Sequence, residues 1–376
     1  MILYFLIAAV TVLLAGMIVT NKGMVKGNGG IYLSRQEMLN GVGLLFIFTI
    51  LFGISALRLN VGNDYAKYVE FMHLVVSDAY EPTVVPTEIG FNLVVEIIYG
   101  LSGYENFLLV FAFFAATTIG FFLAAIYKQS DHFLFSFFLF MAFGYYFQSF
   151  NTVRYYLAVA VALYCIPYVL RKEWVKFIIL ILLAATLHKS VLVVIPLYIM
   201  ASWAWNKWSL AIAALFCTTF FFLQDFYLKL VVILYPTYED TEYLEGGTSY
   251  INILRCTGVL IFSLMYYKST IAGNKRNQFY FYCNLGALVL YTCCSFLPII
   301  SRIGYYLTIT HVFFLPAIVR GIDNKKWRRL FTGAIVAAGV LYFIMLMRKA
   351  GQDGLRILPY ETFLFHDMVD ILSDVN

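Results

Sequence analysis

The sequence predicts an all-α, polytopic integral membrane protein with about twelve transmembrane helices, in a range of about 10 to 13. Of its 376 residues, 62% are hydrophobic and only 12% are charged. Apolar runs of about 20 residues, long enough to cross a bilayer as helices, recur along nearly the whole chain. A transmembrane β-barrel would instead show shorter strands of alternating polarity.

The apolar runs define the predicted spans in chain order. They lie near residues 1–20, 38–57, 104–127, 132–149, 153–170, 174–187, 189–202, 208–224, 250–267, 279–299, 303–320 and 329–347. The sixth and seventh runs are short, and a single kinked helix is the alternative to two spans there. Lys22 and Lys26 follow the first run, which predicts a retained first helix with its N-terminus outside.

The distribution of charge supports this orientation. Most of the 26 basic residues fall in the loops that would face inward, as the positive-inside rule requires. The predicted outward segments are 58–103, 225–249 and 348–376. Within the first, "EIGFNLVVEIIYGL" (Glu88 to Leu101) has apolar residues at helical spacing and is too short to span, which predicts an amphipathic helix on the outer membrane surface. Residues 1–376 are interpreted as one membrane domain.

Three arginines stand at helix ends on the predicted outward side, where basic residues should be scarce. They are Arg58, Arg154 and Arg302. A planar guanidinium suits bidentate binding of phosphate or pyrophosphate. The alternative is that each side chain merely extends to the membrane interface.

Histidine and acidic residues supply candidates for proton transfer. "HKS" (His188 to Ser190) lies between two short spans, and an ionisable residue at that depth is a functional candidate. A solvated turn is the alternative for His188, and His311 is interpreted as a satisfied core histidine. Asp64, after a Gly-Asn turn, and Glu88 are the acidic candidates in the first outward segment.

Several classes of activity lack their sequence signatures. The chain has no Walker A motif, no dinucleotide-binding glycine fingerprint, no HExxH and no GxSxG. Its cysteines and histidines have no metal-ligand spacing. Nucleotide hydrolysis and zinc proteolysis are therefore disfavoured, and a substrate that arrives already activated, through or from the membrane, fits better. We expect no metal, no cofactor and no nucleic-acid partner.

The order of these blocks resembles that of the EpsG-type polysaccharide polymerases, relatives of the Wzy O-antigen polymerases. The blocks are "RLNVGNDYAKYVEFM", "EIGFNLVVEII", "NTVRYYLAVAVALY", "TLHKSVLVVIPLYI", "SRIGYYL" and "LPYETFLF". The family usually has Gln after the arginine of the third block, where this chain has Tyr155. The departure keeps the arginine, Arg154, but replaces the amide side chain that follows it in the family.

The resemblance implies a metal-independent membrane glycosyltransferase with a GT-C-like helical fold. Its donor and acceptor would be glycans on undecaprenyl pyrophosphate, joined at the periplasmic or extracellular face of the bacterial inner membrane. A chain-length regulator and a flippase of the same pathway are possible partners.

The resemblance also assigns roles to residues of the matching blocks. Arg154 and Arg302 would hold the pyrophosphate, with a phosphate contact for Arg58. Asp64 would bind the acceptor sugar, and His188 could be a base or a pyrophosphate contact. The remaining members of the substrate-binding set are Asn151, Lys189 and Tyr305.

Three other functions stay open. A glycan ligase would use the same donor, but one dominant outward loop is expected of it. A transporter or flippase of lipid-linked oligosaccharides should carry charges along the membrane depth, often on repeated helices. A membrane acyltransferase would also need histidine and arginine.

Overall fold

The computed structural model describes residues 1–20, 34–77, 87–234, 247–297, 300–352 and 354–365, and these residues are helical in the main. The helices are α1 Ile2–Ala15, α2 Arg35–Ala56, α3 Tyr65–Val76, α4 Ile89–Ser102, α5 Phe107–Gln129, α6 Phe133–Ala142, α7 Tyr145–Gln148, α8 Val153–Leu170, α9 Trp174–Ala185, α10 Val194–Ala201, α11 Lys207–Phe222, α12 Gln224–Leu234, α13 Tyr250–Met265, α14 Lys275–Cys293, α15 Ile300–Thr308, α16 His311–Arg320 and α17 Lys325–Lys349. A 3₁₀ turn covers Lys189–Val193. The described residues contain no strand, only an isolated bridge between Arg58 and Thr362. The basic loop with Lys22 and Lys26 lies outside the described residues, as do 78–86, 235–246 and 366–376 of the predicted outward segments.

The helices confirm a polytopic membrane protein, with fewer full-length spans than expected. Within the described ranges, five helices are long and apolar enough to cross a membrane. They are α2, α5, α8, the combined α15 and α16, and α17. A sixth is counted if α11 and α12, which are bent by 87°, form one broken span. The predicted spans at 1–20, 132–149, 174–187, 189–202 and 250–267 contain shorter apolar helices of 10 to 17 residues, if the 3₁₀ turn and α10 are taken together at 189–202.

The chain forms two compact units. The first contains residues 1–164, 183–189 and 326–376, and the second contains 165–182 and 190–325. That residues 1–376 form a single integral membrane domain stays a prediction.

In the first unit, α2 packs along α5, and α1 packs on α2 and α6. The start of α2 is fixed by a capping box, because the Ser34 hydroxyl accepts from the Glu37 N–H and the Glu37 carboxylate accepts from the Ser34 N–H. Further along, the Tyr146 hydroxyl donates to the Leu51 carbonyl over 2.7 Å and ties α7 to α2. These contacts hold the end of α2, and with it the start of the loop that follows, in place.

The surface helix expected at 88–101 is confirmed as a helix, α4. Its buried residues, Phe91, Asn92, Val95 and Tyr99, recur at helical spacing. The opposite side is exposed and also apolar, with Leu93, Ile97 and Leu101 at four-residue spacing. Its placement on a membrane surface stays a prediction, which the exposed apolar side supports.

Residues 354–362 form a non-helical segment, here called the 354–362 strap, that lies along the loop after α2. The Leu59 N–H donates to the Glu361 carbonyl over 3.0 Å, and the Gly62 N–H donates to the Arg356 carbonyl over 2.9 Å. The Tyr4 hydroxyl donates to the Ile357 carbonyl over 2.6 Å. The strap therefore pairs with the segment that leads to Asp64.

In the second unit, α14 lies against α10, α11, α13, α15 and α16. His311 is fully buried, and its Nε2 bonds to Asn284 Oδ1 over 2.8 Å. Asn284 Nδ2 in turn donates to the Cys256 carbonyl over 3.1 Å. His311 is therefore a core histidine, as interpreted, but only its Nε2 is satisfied, because Nδ1 is buried and has no hydrogen-bond partner in the described ranges.

Candidate active site

Arg154, the second residue of α8, forms a buried ion pair with Glu88. Its Nη1 donates to Glu88 Oε2, and only 11% of the arginine side chain and 14% of the glutamate side chain are exposed. The guanidinium carbon lies 4.9 Å from the centre of the Phe91 ring and 5.5 Å from that of Tyr68. A cation at a helix N-terminus meets the positive end of the helix dipole. An anion beside Arg154 is therefore strongly favoured.

The second carboxylate oxygen of Glu88 faces the segment after α9. Glu88 Oε1 accepts from the Lys189 backbone N–H over 3.0 Å and lies 3.4 Å from His188 Nδ1. The His188 ring also meets the Tyr155 ring edge to face, with 5.6 Å between the ring centres. Glu88 thus links Arg154 and His188, and these three residues are called the Glu88 cluster below.

The start of α4 places the carboxylate. Glu88 is the N-cap residue of α4, a position where the helix dipole favours a negative charge. The Gly90 N–H donates to the Thr186 carbonyl over 2.8 Å. A Cβ atom at Gly90 would lie 2.4 Å from Thr186 Oγ1 and 2.7 Å from its carbonyl oxygen. Only glycine lets α4 approach the segment before His188 this closely.

The charges around Glu88 decide its protonation state. Burial raises the pKa of the carboxyl, but the His188 hydrogen bond, the Arg154 charge and the Lys189 N–H outweigh burial and hold the pKa below its ordinary value of 4.5. Glu88 is therefore ionised at neutral pH. It compensates the charge of Arg154 and would stabilise a proton taken up by His188.

The cluster combines an anion-binding group with a proton-transfer group. Arg154 Nε is buried and has no hydrogen-bond partner in the described ranges, so the guanidinium keeps donor capacity beyond the bond to Glu88. The imidazole stands on the other side of the same carboxylate. No group of three or more His, Cys, Asp or Glu side chains that could hold a metal ion is found among the described residues.

Asp64 and Asn151 lie together in the loop held by the 354–362 strap. The Asp64 N–H donates to Asn151 Oδ1 over 3.2 Å, and Asn151 Nδ2 donates to the Gly354 carbonyl over 2.9 Å. Gly62 has φ +113°, and a Cβ there would lie 2.3 Å from the Phe150 carbonyl oxygen. The Asn151 amide therefore holds the loop to the strap. The predicted substrate roles of both side chains stay predictions.

Arg58 is enclosed. Its side chain is 2% exposed, and its Nη1 donates to the carbonyl and hydroxyl oxygens of Ser55 over 3.2 and 3.0 Å. The guanidinium carbon lies 4.9, 5.2 and 5.9 Å from the ring centres of Phe150, Phe111 and Tyr65. A phosphate contact for Arg58, as predicted, would require this enclosure to open.

The other predicted arginine and tyrosine belong to the second unit. Arg302 and Tyr305 are both partly buried and lie on α15. In the same unit, the Tyr198 hydroxyl donates to the Tyr306 carbonyl over 2.9 Å, near the C-terminal end of that helix. Arg154, His188 and the Lys189 backbone are thus brought together in the first unit. The roles of Arg302 and Tyr305 stay predictions.

The role of Glu88 as a shared partner was missed by the sequence analysis, which named it only as an acidic candidate. Glu88 is 66 residues from Arg154 and 101 residues from Lys189, so no local motif joins them. The only signal was an acidic residue at the start of an amphipathic helix. The ring of Phe91 beside Arg154 carried no signal beyond its place in that helix.

Comparison with known proteins gives one finding. No curated protein and no solved structure matches the chain. The model of the EpsG family matches residues 42–362, which is more than four fifths of the sequence and contains the whole Glu88 cluster. The chain belongs to the EpsG family.

Proposed function

We propose that this protein polymerises oligosaccharide repeat units carried on undecaprenyl pyrophosphate into O-antigen, capsular polysaccharide or exopolysaccharide. Membership of the EpsG family indicates a polysaccharide polymerase with a glycosyltransferase-like reaction. The observation that carries the proposal is the Glu88 cluster, where a fixed guanidinium and an imidazole share one ionised carboxylate.

In the proposed reaction, a hydroxyl oxygen of the acceptor glycan bonds to the anomeric carbon of the donor glycan. The bond between that carbon and the pyrophosphate oxygen breaks, and undecaprenyl pyrophosphate leaves. Negative charge grows on the leaving oxygen. Arg154 stabilises this charge best in the transition state, because Glu88 and the Phe91 ring hold the guanidinium in position before the substrate arrives.

The hydroxyl proton passes to His188 in this proposal. The Glu88 carboxylate, 3.4 Å from His188 Nδ1, orients the ring and stabilises the imidazolium that forms. The proton would be accepted at the ring nitrogen that does not face Glu88. This geometry favours the base role over the pyrophosphate contact that the sequence had left open.

The remaining predicted residues would complete the substrate site. Arg302 and Tyr305 would bind the pyrophosphate and the adjoining sugar, and the Lys189 side chain, which is exposed, would add positive charge. Asp64 and Asn151 would contact the acceptor. Arginine charge would take the place of a metal ion in such a site.

The proposal also includes the finer architecture. We infer a GT-C-like bundle with about twelve spans in the bacterial inner membrane, in which the shorter apolar helices complete the count. The Glu88 cluster would face the periplasm or cell exterior. A flippase would deliver the substrate to that side, and a chain-length regulator would set product size.

The first test is a surface-glycan ladder, run by gel from cells in which the gene is deleted and then complemented. Wild type should restore long chains, whereas Arg154→Ala should leave a single repeat unit on the lipid core. The matched control is Arg329→Ala, which removes an exposed arginine of α17 and should restore long chains.

Loss of even the single unit in the deletion strain would contradict the polymerase proposal and point to ligation or flipping. Long glycan chains in the Arg154→Ala strain would instead show that Arg154 is not needed for polymerisation.

A further inference from the structure

The guanidinium of Arg58 is a buried positive charge without a neighbouring anion in the described part of the chain. Its side chain is 2% exposed, and no carboxylate of these residues lies within ion-pair distance. Nε and Nη2 are both buried and have no acceptor there, while Nη1 bonds only to Ser55. The surrounding aromatic rings attract the cation but carry no net charge. An uncompensated charge at such a position is strongly unfavourable.

A small cavity lies against this side chain. Its volume is about 10 Å³, which is room for one particle of about the size of a water molecule. Three hydroxyl-bearing residues, Ser55, Thr118 and Ser149, line it together with Arg58 and apolar side chains. A phosphate or a carboxylate group is larger than this space, and Arg58 itself is only 2% exposed, so either group could enter only if the enclosure opened.

We propose that this cavity binds one chloride ion, held by Arg58 Nε and Nη2 and by the hydroxyls of Ser55 and Thr118. Chloride is monatomic, carries one negative charge and only accepts hydrogen bonds, so it matches the unpaired charge and the donor set, and it needs less widening of the cavity than a polyatomic anion would. A water molecule would fit the volume but would leave the charge of Arg58 uncompensated.

The ion has a structural role in this arrangement. Ser55 and Arg58 mark the end of α2, whereas Thr118 lies in the middle of α5, and a bound anion would hold the two helices together at this point. The site does not depend on the polymerase proposal, and its test does not measure activity.

The test is the thermal unfolding of the full chain in lipid nanodiscs, at constant ionic strength, as gluconate is replaced by chloride. We expect the unfolding midpoint to rise with chloride concentration and to saturate, because a ligand that binds only the folded state stabilises it. Bromide should act like chloride, and sulfate should give no saturable rise.

Three variants locate the effect. Arg58→Gln should abolish the chloride dependence, and Arg329→Gln, at an exposed arginine, should leave it intact. Because Arg58→Gln could fail to fold, Thr118→Val tests the same site in a chain that keeps Arg58. It keeps the side-chain shape but removes one hydroxyl donor, and it should weaken the apparent chloride affinity about tenfold.

Two results would overturn the proposal. A midpoint that does not respond to chloride would assign the cavity to water. An unchanged chloride dependence in Thr118→Val would place the responsive site elsewhere in the protein.

Discussion

Replacement of Glu88 by glutamine tests the centre of the candidate site. Glutamine has the same shape and keeps an acceptor oxygen for the Lys189 N–H, so the change removes the charge with little loss of packing. The matched control is Glu105→Gln, because Glu105 also pairs with a histidine, His73, over 2.9 Å. That pair is exposed, at 47% for the glutamate and 41% for the histidine side chain.

The expected loss of stability follows from burial. A hydrogen bond to a charged group contributes about 1.5–3 kcal/mol and a neutral one about 0.5–1.5 kcal/mol. The change also leaves Arg154 charged and only 11% exposed without its anion. We therefore expect Glu88→Gln to lower the free energy of unfolding by about 2–3 kcal/mol, below the upper limit of about 5 kcal/mol for a broken buried pair. The exposed control should lose less than about 1 kcal/mol.

Two assays measure the result. Titration with SDS in mixed micelles gives the free energy of unfolding, and polymer formation from a purified lipid-linked repeat unit gives kcat/KM. We expect kcat/KM of Glu88→Gln to fall about 100-fold, because the imidazolium of His188 loses its counterion. Stability and kcat/KM both equal to those of Glu105→Gln would refute the shared role of Glu88.

Three further predictions concern the same cluster. Gly90→Ala should lower kcat/KM more than about tenfold, because the added methyl group pushes α4 away from the segment before His188. The control is Gly100→Ala, in the same helix, where the added methyl group meets open space and kcat/KM should stay at the wild-type value. His188→Gln should reduce kcat by about 10²–10⁴-fold and remove the acidic limb of the pH–rate profile. A raised KM with unchanged kcat would instead indicate a pyrophosphate contact. The control His73→Gln should leave kcat and KM unchanged. The pKa of Glu88 is lower in the folded protein than its ordinary value of 4.5, so its stabilising effect is present above that pH and is lost as the pH falls through the folded pKa. Unfolding measured as the pH is lowered from 6 should therefore show a smaller acid destabilisation in Glu88→Gln than in wild type, and equal acid sensitivity would contradict this assignment.

The sequence predicted the long helices well because their apolar content and their ends are local properties. The span predicted at 153–170 is the observed α8, and the span predicted at 38–57 begins three residues earlier, at the capping box of Ser34. The span predicted at 132–149 is instead divided into α6 and α7. The break lies at Gly144, which has φ +74°, and an average of hydropathy over the run does not register such a local backbone conformation. The helix α3 was not predicted, because its polar residues mask its apolar face.

The sequence named the three residues of the Glu88 cluster as candidates, but it did not predict that Glu88 contacts both Arg154 and His188. Charge at helix ends singled out Arg154, and a polar residue between short spans singled out His188. Their common partner is brought to them by the contact between Gly90 and Thr186, a tertiary event that spacing along the chain does not encode. For Arg58 the prediction and the structure differ. Its position at a helix end predicted an accessible cation, but aromatic rings enclose it in the structure.

The 354–362 strap has a consequence for biogenesis. The Tyr360 hydroxyl donates to the Ile54 carbonyl over 3.0 Å, a contact between residues 306 positions apart in the chain. A membrane protein inserts while it is being translated, so the loop that carries Asp64 leaves the ribosome long before the segment that hydrogen-bonds to it. A prematurely terminated chain could insert every helix up to α17 and still lack the partner of that loop. The loop after α2 can therefore complete its hydrogen bonds only after the segment that follows α17 has been synthesised. Chains that end before this segment cannot form those bonds.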